Sequence, residues 1–164
     1  MAETNTLKLI EDILSSYGSD LVAAIRDQLK SNGKLATGNL YNSVVYDVKI
    51  NGQIVTMSIY ALPYIQWVDQ GRQPGRMPPV SAILKWVEIR GIRSKRVPEH
   101  QQKTPENNEK LAWAFAKSIQ KKGIPATGVV AIPWENSKKK AYSDISHVLA
   151  LANHNATGQM LEDL

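Results

Sequence analysis

Residues 44–60, VVYDVKINGQIVTMSIY, decide the fold of this chain, because apolar residues recur at every second position on both sides of one turn. A period of two is typical of a strand that buries one face. Asn51 and Gly52, between the two halves, suit the centre of a type I′ turn. The stretch therefore predicts an antiparallel β-hairpin. The residues of its apolar face are Val44, Tyr46, Val48, Ile50, Val55, Met57 and Ile59.

Helical periodicity flanks the hairpin on both sides. Before it, apolar residues recur every three or four positions from Leu7 to Leu29, which predicts one amphipathic helix over residues 5–31, with Gly18 as a candidate kink. The helices predicted after the hairpin are a short one at 64–70 and three further ones at 80–90, 109–122 and 136–153. The fold class expected is α+β: a long N-terminal helix, a central hairpin or small antiparallel sheet, three further helices, an extended arm and a C-terminal tail.

The chain length of 164 residues fits one domain. We expect a single α+β domain over residues 1–153, followed by a flexible C-terminal tail at 154–164. Residues 92–108 are the longest polar stretch and predict a basic loop. Residues 124–134 are apolar but interrupted by proline and glycine, which predicts an extended arm.

Composition narrows the class of protein. The chain is 43% hydrophobic and 21% charged, which favours a soluble globular protein over a disordered one. No stretch approaches the ~18 consecutive apolar residues of a membrane span. The absence of cysteine excludes disulfide frameworks, thiolate metal sites and cysteine nucleophiles. The N-terminal residues lack the pattern of a secretory signal, so we expect the protein in a cytoplasm or in an assembly built there.

The sequence contains no nucleophile elbow, phosphate-binding glycine loop, HExxH motif or EF-hand loop. Two groupings of titratable residues are left, His147 with Asp144 and His154, and His100 with Glu99. A metal site needs three or four convergent ligands, and solvated side chains are the simpler interpretation of both groupings. We therefore expect no enzymatic activity, no cofactor and no metal.

Positive charge is concentrated in a few segments of a chain whose net charge is +5. Residues 90–103 carry five cations against Glu99 alone. Such a segment attracts phosphates without reading sequence, although a solvated loop explains it equally well. The candidate contacts to DNA or to an acidic partner are Arg90, Arg93, Lys95, Arg96 and Lys103.

The four tryptophans also stand out. Trp67, Trp86 and Trp113 lie off the apolar stripes of their predicted helices, and Trp134 lies in the predicted arm. Aromatic side chains at the margin of a core are favoured anchors of protein interfaces, because they bury much area at low entropic cost. This pattern indicates an oligomer.

Several short motifs stand in a specific order around the hairpin. TGNLYNSVV precedes it at 37–45, and YALPYIQWVDQG follows at 60–71. ILKWVEIRGI, AFAKSIQKKGIPATG and IPW then occupy 83–92, 114–128 and 132–134. The matching positions are Thr37, Gly38, Leu40, Ser43, Tyr60, Ala61, Asp69 or Gln70, Gly71, Ile83, Trp86, Val87, Gly91 and Ile92. In this order the chain resembles the tail-completion or neck (head–tail connector) proteins of tailed double-stranded DNA bacteriophages.

The resemblance covers residues 21–142 and has no counterpart for the 93–108 insertion or for the tail after His154. It implies a mixed α+β fold and a ring of six or twelve copies that joins the capsid portal to the tail and encloses the DNA channel. The expected partners are further copies, portal or adaptor proteins, tail proteins and packaged DNA, all within a virion and without a membrane. A neck ring of a crAss-like phage is one such position. A small basic nucleic-acid-binding protein is the alternative hypothesis.

Two segments are candidates for reaching a neighbouring subunit, the loop at 71–79 and the arm at 124–134. A hairpin alone is a poor sheet, and its edges favour completion by another chain. The candidate interface residues are Thr37, Leu40, Trp67, Gly71, Arg72, Pro74, Gly75, Arg76, Pro79, Trp86, Pro133 and Trp134.

Overall fold

The structure, a computed structural model, describes residues 2–35, 37–93 and 104–162. The predicted α+β class is confirmed: within these residues the chain forms several helices and one two-stranded antiparallel sheet. The elements in chain order are α1 (Ala2–Ser31), α2 (Asn39–Ser43), β1 (Val45–Asn51), β2 (Ile54–Tyr60), α3 (Ile65–Gln70), α4 (Val80–Arg90), α5 (Pro105–Lys122) and α6 (Ala131–Glu162).

Contacts between residues group the chain into two compact units. Unit 1 comprises Met1–Gly33, Tyr41–Leu62 and Val129–Leu164. Unit 2 comprises Lys34–Leu40 and Pro63–Gly128. The expectation of one domain over residues 1–153 stays a prediction.

The hairpin forms as the alternation predicts. β1 pairs antiparallel with β2, from Val45 opposite Tyr60 to Asn51 opposite Ile54. The prediction of a type I′ turn centred on Asn51 and Gly52 was wrong, because the turn lies one residue later in the chain. Asn51 is paired, and the loop is Gly52-Gln53. Of these two loop residues only Gly52 has a positive φ, 61°, which is the arrangement of a type II′ turn.

In unit 1, α1 packs on the hairpin and on α6. The core side chains of this unit are Leu21, Val22, Ile25, Leu29, Val44, Val129 and Ala141. Gly18 is buried in this contact, and a Cβ built on it would lie 2.5 Å from Cδ2 of Tyr46. The glycine therefore admits the Tyr46 ring against the helix, and α1 continues unbroken through it.

In unit 2, α4 packs on α5. Val87, Ala112 and Ala116 are fully buried there, because alanines let two helices approach closely. The rings of Trp86 and Phe115 meet edge to face, with centroids 5.5 Å apart. α5 starts earlier than the sequence predicts, since Thr104 caps it by accepting a hydrogen bond from the Asn107 amide at 3.4 Å.

This start shortens the predicted 92–108 loop. Residues 105–108 are the first turn of α5, and residues 94–103 lie outside the described part of the chain. The proline at position 105 fits the first helical turn, whose amide groups have no partner within the helix.

The last helix, α6, is longer than predicted at both ends. It starts at Ala131, so the expected 124–134 arm ends before it, and Pro133 falls in the first turn, where a proline is tolerated. It also continues to Glu162, so residues 154–162 are helical and not the loose segment expected of a tail. The stretch after Asn153 contains no proline and one glycine, which a helix tolerates at about 1 kcal/mol.

Candidate assembly surface

The hairpin has one face turned away from α1, which we call the outer face. Its residues are Val45, Asp47, Lys49, Ile54, Thr56, Ser58 and Tyr60. Val45 and Tyr60 stand directly opposite each other and are 46% and 53% exposed, and Ile54 at the turn is 66% exposed. Paired positions on neighbouring strands lie about 5 Å apart, so Val45 and Tyr60 form one exposed apolar contact.

The charges of the outer face cancel. Lys49 Nζ lies 2.7 Å from Asp47 Oδ2. The hydrogen bond to Asp47, and then its negative charge, raise the pKa of Lys49 above its ordinary value of 10.5. The remaining residues of the face are neutral. The outer face therefore presents apolar side chains without a net charge.

The opposite face of the hairpin is fixed to α1. The Tyr46 ring lies against Gly18, and its hydroxyl lies 3.4 Å from Ser15 Oγ. Arg26 donates to the Val44 carbonyl at 2.9 Å and to the Tyr41 carbonyl at 3.2 Å. Its guanidinium also lies over the Tyr41 ring, 5.4 Å from the centroid. These contacts hold the start of β1 in one position.

Among the strands that the structure describes, the sheet has only β1 and β2. Each strand consequently has one edge whose outward amide and carbonyl groups have no strand beside them. Such edges are templates for pairing with another chain. The exposed pair Val45 and Tyr60 next to open edges, with Ile54 exposed at the turn, is thus the feature of unit 1 best suited to self-association.

The segment after α3 and the segment after α5 bind each other, and we call this contact the clasp. Arg72 and Ile124 exchange two backbone hydrogen bonds of 2.8 Å. The Gly75 amide donates to the Gln120 carbonyl at 2.9 Å. The Asp69 carbonyl accepts from the amides of residues 127 and 128, each at 3.0 Å. The loop at 71–79 and the first part of the predicted arm, residues 124–128, were candidates for reaching a neighbouring subunit, and they are joined to each other within unit 2.

Glycines make the clasp possible. Gly71 ends α3 at φ 74° and ψ −162°, and Gly123 ends α5 at φ 72° and ψ −162°. Only glycine adopts this region readily. A Cβ at Gly71 would collide with the backbone of Ile124 and Ala126, and a Cβ at Gly123 with the Arg72 carbonyl. The two segments approach each other closer than any side chain allows.

The structure separates the predicted interface residues into three groups. Leu40, Gly71 and Pro133 are buried and have little surface to offer another chain. Arg72 is half-buried in the clasp, where its guanidinium donates to the Arg76 carbonyl at 2.6 Å. The exposed members are Thr37, Trp67, Pro74, Gly75, Arg76, Pro79, Trp86 and Trp134. Trp67 is the most exposed tryptophan, at 60%, and Trp134 packs edge to face on Tyr17 at 6.1 Å.

Sequence reasoning missed the outer-face residues Val45, Ile54 and Tyr60. Their signal was present in the alternation, because the positions between the core residues of a two-stranded sheet face outward. Val45 and Tyr60 are informative because they are directly paired, since contiguous exposed apolar groups carry more meaning than isolated ones.

Of the predicted DNA contacts, Arg90 lies in the last turn of α4 and Arg93 soon after it. Lys95, Arg96 and Lys103 lie outside the described residues. Arg93 lines a cleft of about 310 Å³, together with Glu88 and Asn108. The cleft holds one cation and one carboxylate, so its own charge favours no particular ligand.

Charge divides between the two units. Unit 2 contains 13 Lys and Arg against 5 Asp and Glu, a net charge of +8. Unit 1 contains 7 against 10, a net charge of −3. The excess in unit 2 does not depend on the 94–103 segment, without which it is still +6, from 10 against 4.

Within the described residues, no group of three or more His, Asp and Glu side chains is placed to hold a metal ion. No helix in this part of the chain has the length and apolar character of a membrane span. Comparison of the chain with protein-family models, curated proteins and solved structures gives no match.

Proposed function

We propose that this chain is a structural virion protein, a ring-forming head–tail connector or tail-completion component of a tailed bacteriophage. The observation that carries the proposal is the outer face of the hairpin, where Val45, Ile54 and Tyr60 are exposed beside open strand edges. Exposed apolar groups of this kind are typical of surfaces that another protein covers. The choice of this family rests on the order of the sequence motifs over residues 21–142.

The fixed position of the hairpin supports this function. Ser15, Gly18 and Arg26 of α1 hold Tyr46 and the start of β1. A surface that is already ordered before docking loses less conformational entropy on binding. Repeated identical contacts around a ring need such a defined surface, because small errors of angle would prevent closure.

The two sides of a subunit differ in a closed ring, because the contact is heterologous. The outer face supplies one side. The exposed Trp67 in unit 2 and Trp134 in unit 1 are further candidate anchors, because large aromatic groups are enriched at the centre of interfaces. Function is then stoichiometric, through complementary surfaces and without turnover.

Assembly on the portal tests the proposal. The purified chain is imaged by negative-stain electron microscopy, alone and with the portal complex of the same virus, and we expect rings in at least the second sample. The double variant Ile54→Lys/Tyr60→Lys should stay monomeric with an unchanged circular dichroism spectrum, because both side chains are more than half exposed.

Leu151→Lys is the matched control, since it replaces a half-exposed aliphatic residue of α6 outside the outer face. It should assemble like the unaltered chain. A monomer in both samples would refute the proposed function. Normal rings from the double variant would show that the outer face is not the contact.

A small basic nucleic-acid-binding protein is the second candidate. The observation that favours it is the net charge of +8 in unit 2. Neutralising Arg93, Lys95 and Arg96 tests the contact that the sequence predicts, and unchanged affinity and salt dependence would exclude it.

A further inference from the structure

Two segments of unit 2 contain cations and no carboxylate. Residues 70–87 and 110–128 include no Asp or Glu. Their basic residues are Arg72, Arg76, Lys85, Lys110, Lys117, Lys121 and Lys122. Lys110 pairs with Glu106, which precedes its segment, and Asp69 stands one residue before the first segment. The other cations have no carboxylate within their own segment.

The clasp brings the two segments together. The hydrogen bond from the Gly75 amide to the Gln120 carbonyl, 2.9 Å long, places Arg76 next to the last turn of α5. The bridge between Arg72 and Ile124 does the same for Arg72. Residues nearly fifty positions apart in the chain thus form one basic cluster, which we call the clasp cluster. Its members are Arg72, Arg76, Lys117, Lys121 and Lys122.

Four members of the clasp cluster are exposed, whereas Arg72 is half-buried and its guanidinium donates to the Arg76 carbonyl. Lys117, Lys121 and Lys122 are exposed, and Lys117 and Lys121 lie four residues apart on one face of α5. Trp113, also exposed, continues the same row one turn earlier. Ion pairs among the described residues involve other lysines, at positions 8, 49, 110 and 138.

Two of the last carbonyl groups of α5 already accept hydrogen bonds from main-chain amides, so they do not need the nearby lysine side chains as partners. The last four carbonyls of a helix lack helical partners and carry partial negative charge. Here the Ile119 carbonyl accepts from the Gly123 amide at 2.8 Å, and the Gln120 carbonyl accepts from Gly75. Both acceptors are therefore already engaged by amides of the main chain.

We infer that the clasp cluster binds the phosphodiester backbone of nucleic acid without reading its sequence. The exposed cations Arg76, Lys117, Lys121 and Lys122 match a polymer with regularly spaced negative charges. An acidic protein is a poorer fit, because protein interfaces are depleted of charge at their centre whereas nucleic-acid interfaces are strongly positive throughout. This site differs from residues 90–103 and does not depend on ring assembly, since one chain suffices to bind.

The test compares two triple variants with the same change of charge. Lys117→Gln/Lys121→Gln/Lys122→Gln removes three cations from the clasp cluster. Lys138→Gln/Lys139→Gln/Lys140→Gln removes three from α6 in unit 1, whose net charge is −3. Binding to a fluorescein-labelled DNA duplex and to the matching single strand is followed by anisotropy between about 50 and 200 mM salt.

The cluster variant should lower affinity about tenfold or more and reduce the slope of log K against log[salt] by roughly 2 to 3, since each lost phosphate contact contributes about 0.9. The α6 variant should bind like the unaltered chain. A preference for the single strand would assign Trp113 a stacking role.

Three results would overturn the inference: no binding by the unaltered chain at the lowest salt, equal losses in both variants, or competition by polyglutamate as effective as that by unlabelled DNA. Circular dichroism checks that both variants fold, and Arg72→Gln/Arg76→Gln provides a second variant of the same cluster. Portal-dependent ring formation is scored separately, so loss of DNA binding with intact rings affects this inference alone.

Discussion

Replacing Gly71 by alanine should strongly destabilise unit 2, because the residue has a positive φ and the added Cβ would overlap backbone atoms of the other clasp segment. At φ 74° and ψ −162° a side chain costs about 1–3 kcal/mol. The added Cβ would also lie 2.6 Å from the Ala126 amide nitrogen and 2.8 Å from the Pro125 carbonyl carbon. These are backbone atoms, which cannot turn aside as the end of a side chain does.

The chain has two ways to relieve this overlap. It can keep the clasp and accept strain and overlap, each about 1–3 kcal/mol. It can instead open the clasp and lose its backbone hydrogen bonds, at about 1 kcal/mol each. The first route therefore costs about 2–6 kcal/mol. Since the clasp contains five such bonds, the second costs about 5 kcal/mol, and the less costly of the two gives a loss of about 2–5 kcal/mol in the free energy of unfolding. That is a large part of the stability of an ordinary domain.

Urea unfolding measures this loss, followed by tryptophan fluorescence, because Trp67 lies in α3, which Gly71 ends. Gly91→Ala is the matched control in the same unit. Gly91 has φ 59° and ψ 33° with nothing within 4 Å of a built Cβ, so its replacement should cost about 1–2 kcal/mol. A Gly71→Ala chain whose stability lies within about 1 kcal/mol of the control would refute the close approach of the two segments.

Three further predictions concern single contacts. Gly18→Ala should destabilise unit 1 by about 1–3 kcal/mol in urea unfolding, because the new methyl group displaces the Tyr46 ring; a neutral result would mean that the ring does not rest on α1. Arg26→Met should cost about 2–3 kcal/mol, since two backbone carbonyls lose a charged donor, and amide hydrogen exchange should rise first at the start of β1. The hydrogen bond from Lys110, and then its charge, lower the pKa of the Glu106 carboxyl below its ordinary value of 4.5. The resulting stabilisation is present above pH 4.5 and is lost as the pH falls through the lower pKa of the folded state. In Lys110→Met the pKa of Glu106, followed by NMR titration, should return to its ordinary value, and an unchanged titration would disprove the pairing.

Sequence patterns predicted those elements whose periodicity is set by one buried face. The alternation at 44–60 and the stripe along α1 each come from local burial, so their elements formed as expected. The sequence predictions failed at prolines and glycines whose effect depends on where they lie in a helix. Pro133 suggested an arm, but a proline in a first helical turn lacks only an amide that has no partner there.

The clasp could not be predicted, because hydrogen bonds between main-chain atoms leave almost no trace in residue types. Its only sequence signals are Gly71 and Gly123, and each alone resembles an ordinary end of a helix. The clasp cluster was hidden for the same reason. Its arginines and lysines belong to separate segments, and backbone hydrogen bonds of the clasp join them, between Arg72 and Ile124 and between Gly75 and Gln120.

The clasp also brings together two points that are far apart in the sequence. The Asp69 carbonyl accepts hydrogen bonds from the amides of Thr127 and Gly128, so the segment that leaves near residue 69 comes back to the same point. Everything between, including α4, α5 and the 94–103 stretch, is a closed insert with adjoining ends. Sequence can be added, lost or exchanged within such an insert without changing the path of the chain on either side of it.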